Sequence, residues 1–310
     1  GGKLMIKKLE DLIAKVKGSP KKRLVVACAE DPHTIEAIAR AQGEGLVEVI
    51  VVGNQEKITK VAREHGVSST FHQVIDEVDT KKALSLAVKL VREGEGDILM
   101  KGLVTTPDYM RAILNKESGL VPPGGLLSHV TVIEVPAYPK LLVVSDVAVL
   151  VLPDLEQKVK MLGYAIEVAQ SLGIENPYAY LISSAETVSE KVPSTVDGAL
   201  IKVMAERGQI KGAKVEGPVG IDIAISKESA EIKGFKGEGA GAADILIFPN
   251  IEAANIFYKT CTIFGGAKLA AMVTGALAPC ILTSRGDSEL SKFYSIGLAA
   301  LLVGMRNNRK

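Results

Sequence analysis

Residues 24–28 read LVVAC and residues 47–52 read VEVIVV, two short apolar runs separated by a longer amphipathic stretch. Both runs are rich in Val and mostly lack the alternation of polar and apolar residues that marks a half-exposed strand. Strands that are buried on both faces of a parallel sheet have this composition. The two runs therefore predict an α/β fold with a largely parallel sheet.

The same alternation continues along the chain. Between the runs, apolar residues recur at helical spacing, as they do at Leu84, Ala87, Val88 and Val91. Right-handed crossovers place the loops after successive parallel strands at one edge of a sheet, where ligands bind. Further strands are expected at residues 97–101, 130–135, 141–144, 178–182, 213–216, 244–248 and 279–283.

Composition limits the class of protein. The chain has 310 residues, of which 47% are hydrophobic and 24% charged. This length suits roughly two domains, each with its own core, and the hydrophobic content excludes a disordered chain. Lys plus Arg number 37 and Asp plus Glu 36, so the net charge is +1. Such a balance removes the usual electrostatic basis for binding nucleic acid or membranes, but it is compatible with a local pocket for a small anion.

The cysteines indicate a reducing compartment. Cys28, Cys261 and Cys280 are far apart and show neither CxxC nor Cys/His ligand spacing. A disulfide framework and a metal site are therefore not expected, and the cysteines are most simply small buried hydrophobes. The sequence has no run of about 18 uncharged apolar residues, and its N-terminal segment lacks a signal-peptide core. We expect a cytoplasmic protein.

Two interruptions suggest how the chain is organised. Residues 119–128 are rich in Gly and Pro, and a second break occurs around Pro136 and Pro139. No internal repeat or low-complexity linker is visible. We interpret the chain as two packed lobes with a cleft between them.

The segment 283–288, Thr-Ser-Arg-Gly-Asp-Ser, lies between an apolar run and a predicted helix that begins near Ser288. Strand-end N–H groups, a glycine and a helix N-terminus converge there, and Arg285 offers a planar guanidinium to phosphate oxygens. Ser284 could donate a hydrogen bond to a developing oxyanion. Alternatively, Asp287 or Ser288 only caps the helix and Arg285 lies on the surface.

A second junction between a strand and a helix runs from Lys101 to Asp108. Thr106 is predicted to cap the helix, with Pro107 as its first residue. Lys101, together with Thr105 and Thr106, could add a charge and hydroxyl donors to a phosphate pocket. Helix capping alone also explains the pattern.

Polar residues also accompany two other predicted strands. Asn250 can cap the helix that follows residues 244–248, and Asn255 and Lys259 share a face of that helix. This face points either into the cleft or into solvent. Ser128 and His129 follow the Gly/Pro-rich segment, where a lone histidine is either structural or part of a site.

Taken in order, these motifs resemble the phosphate acetyl/butyryltransferase family. The segment 283–288, followed by residues 294–296, resembles its C-terminal signature, and residues 244–259 resemble a second one. Residues 216–222 resemble a third signature, which more often begins with Asp than with the Glu found here. The similarity extends over nearly the whole chain. Residues 102–114, 128–136 and 153–158 are most like the phosphate butyryltransferase branch.

The resemblance implies reversible transfer of a short, butyryl-type acyl group between coenzyme A and inorganic phosphate, with an acyl phosphate as the product. It also implies two α/β/α domains around an inter-domain cleft, of the isocitrate/isopropylmalate dehydrogenase type. Residues 1–137 and 283–310 would form the first domain and residues 138–282 an inserted second domain. Small-molecule substrates are the expected partners, in a homodimer or larger homo-oligomer. The chemistry itself requires neither a metal nor a permanently bound cofactor.

The resemblance also makes Ser284, Arg285 and Asp287 the expected catalytic residues. Arg285 and a helix start would hold a phosphate dianion beside the thioester carbonyl, and Ser284 would stabilise the tetrahedral oxyanion. The acetyl branch has a carboxylate, the proposed base, where this chain has Ser291 and Lys292. Asp287 is therefore the candidate base here, unless it only orients Arg285.

The expected phosphate and coenzyme A contacts come from the polar side chains named above: Lys101, Thr105, Thr106, Ser128, His129, Asn250, Asn255, Lys259 and Ser288. Two other functions stay open. A metal- and NAD-dependent dehydrogenase on a related fold would want clustered Asp residues for a divalent ion, and the sequence shows no such cluster. A non-catalytic acyl-CoA-sensing domain is the other, and the intact Ser284-Arg285 pair argues against it.

Overall fold

The computed structural model of the protein describes residues 4–283 and 287–309. The predicted catalytic residues Ser284 and Arg285 lie outside the described residues. Contacts divide the chain into two units. The first unit contains Glu10–Leu127 and the chain from Leu269 onward, and the second unit contains residues 4–9 and Ser128–Lys268.

Strands and helices alternate along the described residues. In chain order, the strands are β1 (Lys22–Ala27), β2 (Val47–Gly53), β3 (Gln73–Asp76), β4 (Ile98–Lys101), β5 (Ser128–Glu134), β6 (Leu142–Ser145), β7 (Tyr178–Ile182), β8 (Lys214–Val219), β9 (Ile245–Ile247), β10 (Lys268–Thr274) and β11 (Cys280–Ile281). The helices are α1 (Leu9–Lys17), α2 (Pro32–Gly43), α3 (Gln55–Glu64), α4 (Thr80–Arg92), α5 (Thr106–Leu114), α6 (Leu155–Ser171), α7 (Pro193–Glu206), α8 (Ile221–Ile225), α9 (Lys227–Ile232), α10 (Ile251–Ile263) and α11 (Glu289–Asn307).

The strands of the first unit pair in the order β3-β2-β1-β4-β11-β10. All of these pairs are parallel except β10 with β11, which is antiparallel. Helix α4 packs against β1, β2 and β4, and α11 packs against β1, β4 and β11. Because these helices cover the sheet, β1 and β4 have no solvent-facing side, and their sequences show no alternation of polar and apolar residues. The completely buried residues of the two strands include Leu24, Val25, Val26, Leu99 and Met100.

The strands of the second unit pair in the order β5-β6-β9-β7-β8. Only β5 with β6 is antiparallel among these pairs. The core between this sheet and its helices includes Leu142, Val144, Tyr180, Leu246 and Phe248. Both units therefore have the predicted α/β organisation with mostly parallel strands.

Each strand expected from the sequence has a counterpart in the structure, but two strands were not anticipated. Strand β3 has only four residues, Gln73 to Asp76, and none of them is fully buried, so no apolar run marks it. Strand β10 was not expected because two of its buried residues, Ala270 and Ala271, are alanines, which have weak β-propensity.

Side-chain caps define where many of the helices begin. Asn250 and Ser288 cap α10 and α11 as the sequence predicted, each accepting a hydrogen bond from a backbone N–H. The predicted cap of α5 is wrong by one residue. Thr105, not Thr106, has extended dihedral angles, and its Oγ1 accepts a hydrogen bond from the Asp108 N–H. Pro107 is tolerated one position further in, because the N–H groups of the first turn have no partner within the helix in any case.

Candidate functional site

The carboxyl ends of β1, β4 and β11 lie at one edge of the first unit's sheet, because these three strands are parallel neighbours. Between them is a cavity of about 260 Å³. We call it the strand-edge cavity. It is lined by Glu30, Asp31, Pro32, Thr34, Lys101, Gly102, Leu103, Thr283 and Lys292. Thr283 is also the residue that precedes the Ser284-Arg285 pair in the chain.

Gly102 allows β1 and β4 to end close together. A Cβ atom at this position would lie 2.0 Å from the carbonyl oxygen of Cys28, which no side chain could accommodate. The Gly102 N–H donates to the carbonyl oxygen of Ala27 at 2.9 Å. Cys28 itself has a φ of 58°, in the left-handed region that non-glycine residues rarely adopt. The backbone turns here, directly before the two carboxylates of the cavity, and such outliers cluster at functional sites.

Two lysines supply buried positive charge to the cavity. Lys101 is 4% exposed and Lys292 is 3% exposed. The Nζ of Lys101 donates to the carbonyl oxygen of Gly102 at 3.3 Å. Desolvation lowers the pKa of the Lys292 ammonium, and the negative charges of Asp31 and Asp287 oppose that shift. The ammonium groups are held in a region where an anion would interact with little screening by water.

Glu30 and Asp31 are the carboxylates of the lining. Asp31 caps α2, and its Oδ2 accepts a hydrogen bond from the Thr34 N–H at 3.2 Å. The Oε1 of Glu30 accepts a hydrogen bond from the Asn54 N–H at 2.7 Å. The Oε2 of Glu30 is buried and has no hydrogen-bond partner among the described residues. A buried carboxylate oxygen in this state is rare, and it calls for an explanation.

Cys28 lies in the same segment as Glu30. Burial, together with the smaller effect of the Glu30 charge, raises the pKa of the Cys28 thiol to about 12. At neutral pH this thiol stays protonated, so it is a poor nucleophile. Cys28 and Cys280 are buried, as the sequence predicted, whereas Cys261 is only half-buried.

Lys101 is the predicted substrate-binding residue that lines the strand-edge cavity. Thr105 and Thr106 are exposed, and the lining does not include them. The Oγ1 of Thr105 donates to Asp108 Oδ2 at 2.7 Å in addition to its capping bond. Ser288 caps α11 by accepting from the Ser291 N–H at 3.2 Å.

Ser128 and His129 belong to a buried polar network in the second unit. The Ser128 Oγ donates to Asp146 Oδ2 at 3.2 Å, and the His129 N–H donates to the same oxygen at 2.9 Å. The Nδ1 of His129 is 3.2 Å from the Oγ1 of Thr131. Asp146, whose importance the sequence analysis missed, also accepts hydrogen bonds from the N–H groups of Ala148, Val149 and Leu150. One buried carboxylate thus holds the loop that follows β6.

The predicted residues of α10 fall into two groups. Asn250 caps the helix through the Ala253 N–H at 2.9 Å, and the Nδ2 of Asn255 donates to the Val147 carbonyl at 3.1 Å. Asn250 therefore closes the first turn of α10, and Asn255 connects the helix to the loop that follows β6. Lys259 is exposed.

Sequence reasoning missed three charged residues of the strand-edge cavity: Glu30, Asp31 and Lys292. A signal for the first two was available, because Glu30 and Asp31 follow a buried strand and precede Pro32, the start of a helix. In the sequence, Lys292 is distinguished only by its position, where the acetyl branch has a carboxylate. Its burial depends on how α11 packs against β1, β4 and β11, which local sequence does not reveal.

A wider groove of about 790 Å³ lies along α4 and α5 in the first unit. Its cationic residues include Lys89 and Arg111, which pair with Glu93 at 3.8 Å and with Asp108 at 2.7 Å, respectively. These pairs are surface ion pairs within single helices. The strand-edge cavity is the better candidate because its lysines are buried and it lies at the carboxyl ends of parallel strands.

In residues 4–283 and 287–309, no three His, Cys, Asp or Glu side chains come together as metal ligands would. Over the same residues, no helix has both the length and the apolar character that a membrane span needs.

Comparisons with known proteins agree with each other. The family model described as "Phosphate acetyl/butaryl transferase" matches residues 8–82 and 69–300. A phosphate butyryltransferase of Clostridium acetobutylicum is 42% identical over 300 residues, covering 97% of this chain and 99% of that protein. A phosphate acetyltransferase of Thermotoga maritima is 42% identical over 295 residues, covering 95% of this chain and 99% of that protein.

A solved structure shows the same likeness. A branched-chain phosphotransacylase from Enterococcus faecalis V583 superposes with a TM-score of 0.79 at 31% sequence identity. The match covers 91% of this chain and 99% of that one.

Proposed function

Since this chain belongs to the phosphate acetyl/butyryltransferase family, we propose that it transfers a short acyl group between coenzyme A and inorganic phosphate. The products are an acyl phosphate and free coenzyme A, and the reaction is reversible. The observation that carries the proposal is 42% identity to a phosphate butyryltransferase over nearly the full length of both chains. Acyl transfer is therefore favoured over the dehydrogenase and the acyl-CoA sensor.

The strand-edge cavity is proposed to hold the reacting groups. Its support is the combination of two buried lysines, Lys101 and Lys292, with the strand end that leads from Thr283 into Ser284 and Arg285. Buried cations stabilise a phosphate dianion more strongly than exposed ones do, because water screens them less. Arg285 would grip the phosphate oxygens, and Ser284 would donate to the oxyanion of the tetrahedral intermediate.

Asp287 has two proposed roles, proton acceptor or partner of Arg285. Its charge acts on the Lys292 ammonium, which supports a place for Asp287 beside the cavity. The role of proton acceptor has a rival within the cavity lining, Glu30. For Thr105, Thr106, Ser128, His129, Asn250, Asn255, Lys259 and Ser288, binding of phosphate or coenzyme A stays a prediction.

A thiol-release assay tests the proposed function. Acyl-CoA esters of increasing chain length are incubated with phosphate, and free coenzyme A is followed with a thiol reagent. We expect release that depends on both substrates and that is fastest with short, butyryl-type chains. No release with any ester would refute acyl transfer, and NAD reduction in the presence of a divalent metal would favour the dehydrogenase.

The variant Arg285→Ala tests the site. A clamp on the reacting phosphate predicts a fall in kcat/KM of about one and a half to three orders of magnitude, equivalent to about 2–4 kcal/mol. The midpoint of urea unfolding would stay close to that of the wild type. Ordinary kinetics with a lowered midpoint would instead make Arg285 a structural residue.

The finer points of the architecture are proposed on the family resemblance. They comprise two α/β/α domains of the isocitrate/isopropylmalate dehydrogenase type with an inter-domain cleft, and domain limits at residues 137/138 and 282/283. The chain divides into two contact units, with boundaries at Leu127/Ser128 and Lys268/Leu269, and this division supports two domains.

Coenzyme A and phosphate act as substrates. Since the reaction is a substitution at an acyl carbon, it needs no resident redox cofactor or metal. Three free cysteines support a cytoplasmic location.

A homo-oligomer is also proposed, with α10 at the contact between copies. Ile256, Ile263 and the neighbouring Phe264 are 65%, 76% and 89% exposed, although α10 is largely apolar. A second copy of the chain would bury these side chains. Light scattering after gel filtration should give a multiple of the chain mass, and Ile263→Glu should reduce it. The matched variant Ile232→Glu, at a 77% exposed position on α9, should leave the mass unchanged.

A further inference from the structure

The Oε2 atom of Glu30 is the unusual feature of the strand-edge cavity. This oxygen is buried and has no hydrogen-bond partner among the described residues, although Glu30 lines the cavity. Leaving a buried acceptor unpaired is costly, more so when the group is charged. A protein retains such a group where a ligand supplies the missing donor or where the group takes part in chemistry.

Two features hold the carboxylate of Glu30 in place from the side of β2. The Asn54 N–H donates to Oε1 at 2.7 Å. Gly53 leaves room for the carboxylate, because a Cβ there would lie 2.9 Å from Oε1 and 3.3 Å from Cδ. One oxygen is thus fixed by the backbone while the other stays unpaired, which is the arrangement expected of a preorganised proton acceptor.

The other carboxylates near the cavity are already engaged. Asp31 caps α2 through the Thr34 N–H, and the charges of Asp31 and Asp287 both act on Lys292. Within the described part of the chain, the charged or titratable groups that line the cavity with Glu30 or act on its segment are Cys28, Asp31, Lys101 from β4 and Lys292 from α11. Cys28 stays a thiol at neutral pH, because burial raises its pKa to about 12.

From this geometry we infer that Glu30 is the proton-transfer group of the reaction, an inference that rests on the proposed function. Toward acyl-CoA, the thiol of coenzyme A gives its proton to Glu30 Oε2, and the sulfur electron pair forms the S–C bond to the acyl carbon. The C–O bond to phosphate then breaks, and its electron pair leaves with the phosphate. The phosphate trianion takes the proton from Glu30 and becomes the hydrogen phosphate dianion. In the opposite direction the same proton returns to the departing thiolate.

The test compares Glu30→Gln with Asp287→Asn in the direction that forms acyl-CoA from acyl phosphate and coenzyme A. Glu64→Gln is the matched control, because Glu64 is an exposed residue at the end of α3. At pH 7 we expect Glu30→Gln to lower kcat/KM by about 10²–10⁴-fold. The loss should shrink as the pH approaches 9.5, because a thiol with a pKa of about 8.5 ionises without help. Circular dichroism and urea unfolding would establish that each variant is folded.

The outcomes separate the two proposals. An inactive wild type refutes the proposed function itself. An active wild type with Glu30→Gln at full activity, or with a loss that is equal at every pH, overturns the role of Glu30. If instead Asp287→Asn loses activity at pH 7 and the loss becomes smaller as the pH rises, the proton acceptor is Asp287. The inference holds if that pH signature belongs to Glu30→Gln and is absent from Glu64→Gln.

Discussion

The backbone N–H of Asn54, at the end of β2, donates a 2.7 Å hydrogen bond to Oε1 of Glu30, which follows β1. The segments that follow two neighbouring strands thus hold one carboxylate: the segment after β1 contains Glu30, and the residue after β2 fixes its orientation. The orientation of a carboxylate that lines the cavity therefore depends on residues that do not line it. Gly53 and Asn54 are absent from the lining.

The variant Gly53→Ala should disturb Glu30 without removing it. The new Cβ would lie 2.9 Å from Glu30 Oε1, so the carboxylate must move. We expect kcat/KM to fall at least tenfold, with a loss of stability of about 1–3 kcal/mol from overpacking. Steady-state kinetics and urea unfolding measure the two effects. The matched control is Gly43→Ala, since no atom lies within 4 Å of a Cβ at that position. Equal kinetics in both variants would contradict the prediction.

The buried ammonium of Lys292 should make stability depend on pH. Desolvation lowers its pKa below the usual value of 10.5, against the opposing charges of Asp31 and Asp287. Between the lowered value and 10.5, the unfolded chain binds more protons at this position than the folded chain. The free energy of unfolding therefore rises with pH in that range, by at most about 1.4 kcal/mol per unit.

Lys292→Met cannot titrate and serves as the reference for this effect. The stability of the wild type relative to Lys292→Met should increase as the pH is raised toward 10.5. Urea denaturation of both proteins, from about pH 7 upward, gives the difference. A difference that stays flat or decreases would show that the folded protein does not disfavour the charged amine.

In the second unit, Lys158 and Asp197 form an ion pair of 2.6 Å, with side chains 7% and 22% exposed. Asp197→Ala leaves the ammonium without its partner, and we expect a loss of about 3 kcal/mol. The double variant Lys158→Met/Asp197→Ala should recover part of this loss, because no charge then stays buried. Denaturant unfolding of the wild type, both single variants and the double variant gives the coupling energy. Additive losses would disprove the coupling.

We expect the variant Asp146→Asn to be much less stable than the wild type. Its Oδ2 accepts from Ser128 Oγ and from the N–H groups of His129 and Leu150, and its Oδ1 accepts from two more N–H groups. An amide NH₂ at either position would face donors only, at a cost of about 1–3 kcal/mol for each lost acceptor contact. Thermal unfolding should show a large fall in Tm.

The matched control for Asp146→Asn is Asp154→Asn. Asp154 caps α6 and accepts from the Gln157 N–H, and Asn is an equally good capping residue. Its Tm should change little. Similar changes in Tm for the two variants would show that stability does not depend on Asp146 accepting all five hydrogen bonds.

Periodicity was sufficient to predict the strands that helices cover on both faces. Val25 and Leu99 lie in runs without alternation because no solvent-facing side exists for a polar residue. Strand β3 escaped detection for the opposite reason, since Gln73 and Asp76 at its ends are exposed and carry no apolar signal. The cap of α5 was placed one residue late, because Thr105 and Thr106 are chemically equivalent and only the backbone dihedral angles distinguish them.

Less of the candidate site could be predicted from the sequence. Lys101 was identified because it ends an apolar strand, and it lines the cavity. Glu30 follows a buried strand, but it was not identified, because its distinguishing property depends on tertiary structure: Asn54 holds one carboxylate oxygen, and the other has no partner among the described residues. Lys292 lies four residues into α11, where a lysine is ordinarily exposed, and tertiary packing alone accounts for its burial.

The close approach of Gly102 to the carbonyl of Cys28 also constrains protein engineering. With 2.0 Å available for a Cβ, saturation mutagenesis at position 102 would yield only misfolded or displaced backbones. Leu103, the next residue along, is 46% exposed and lines the same cavity. A library intended to retune which acyl chain fits should therefore diversify Leu103 and keep the adjoining glycine invariant.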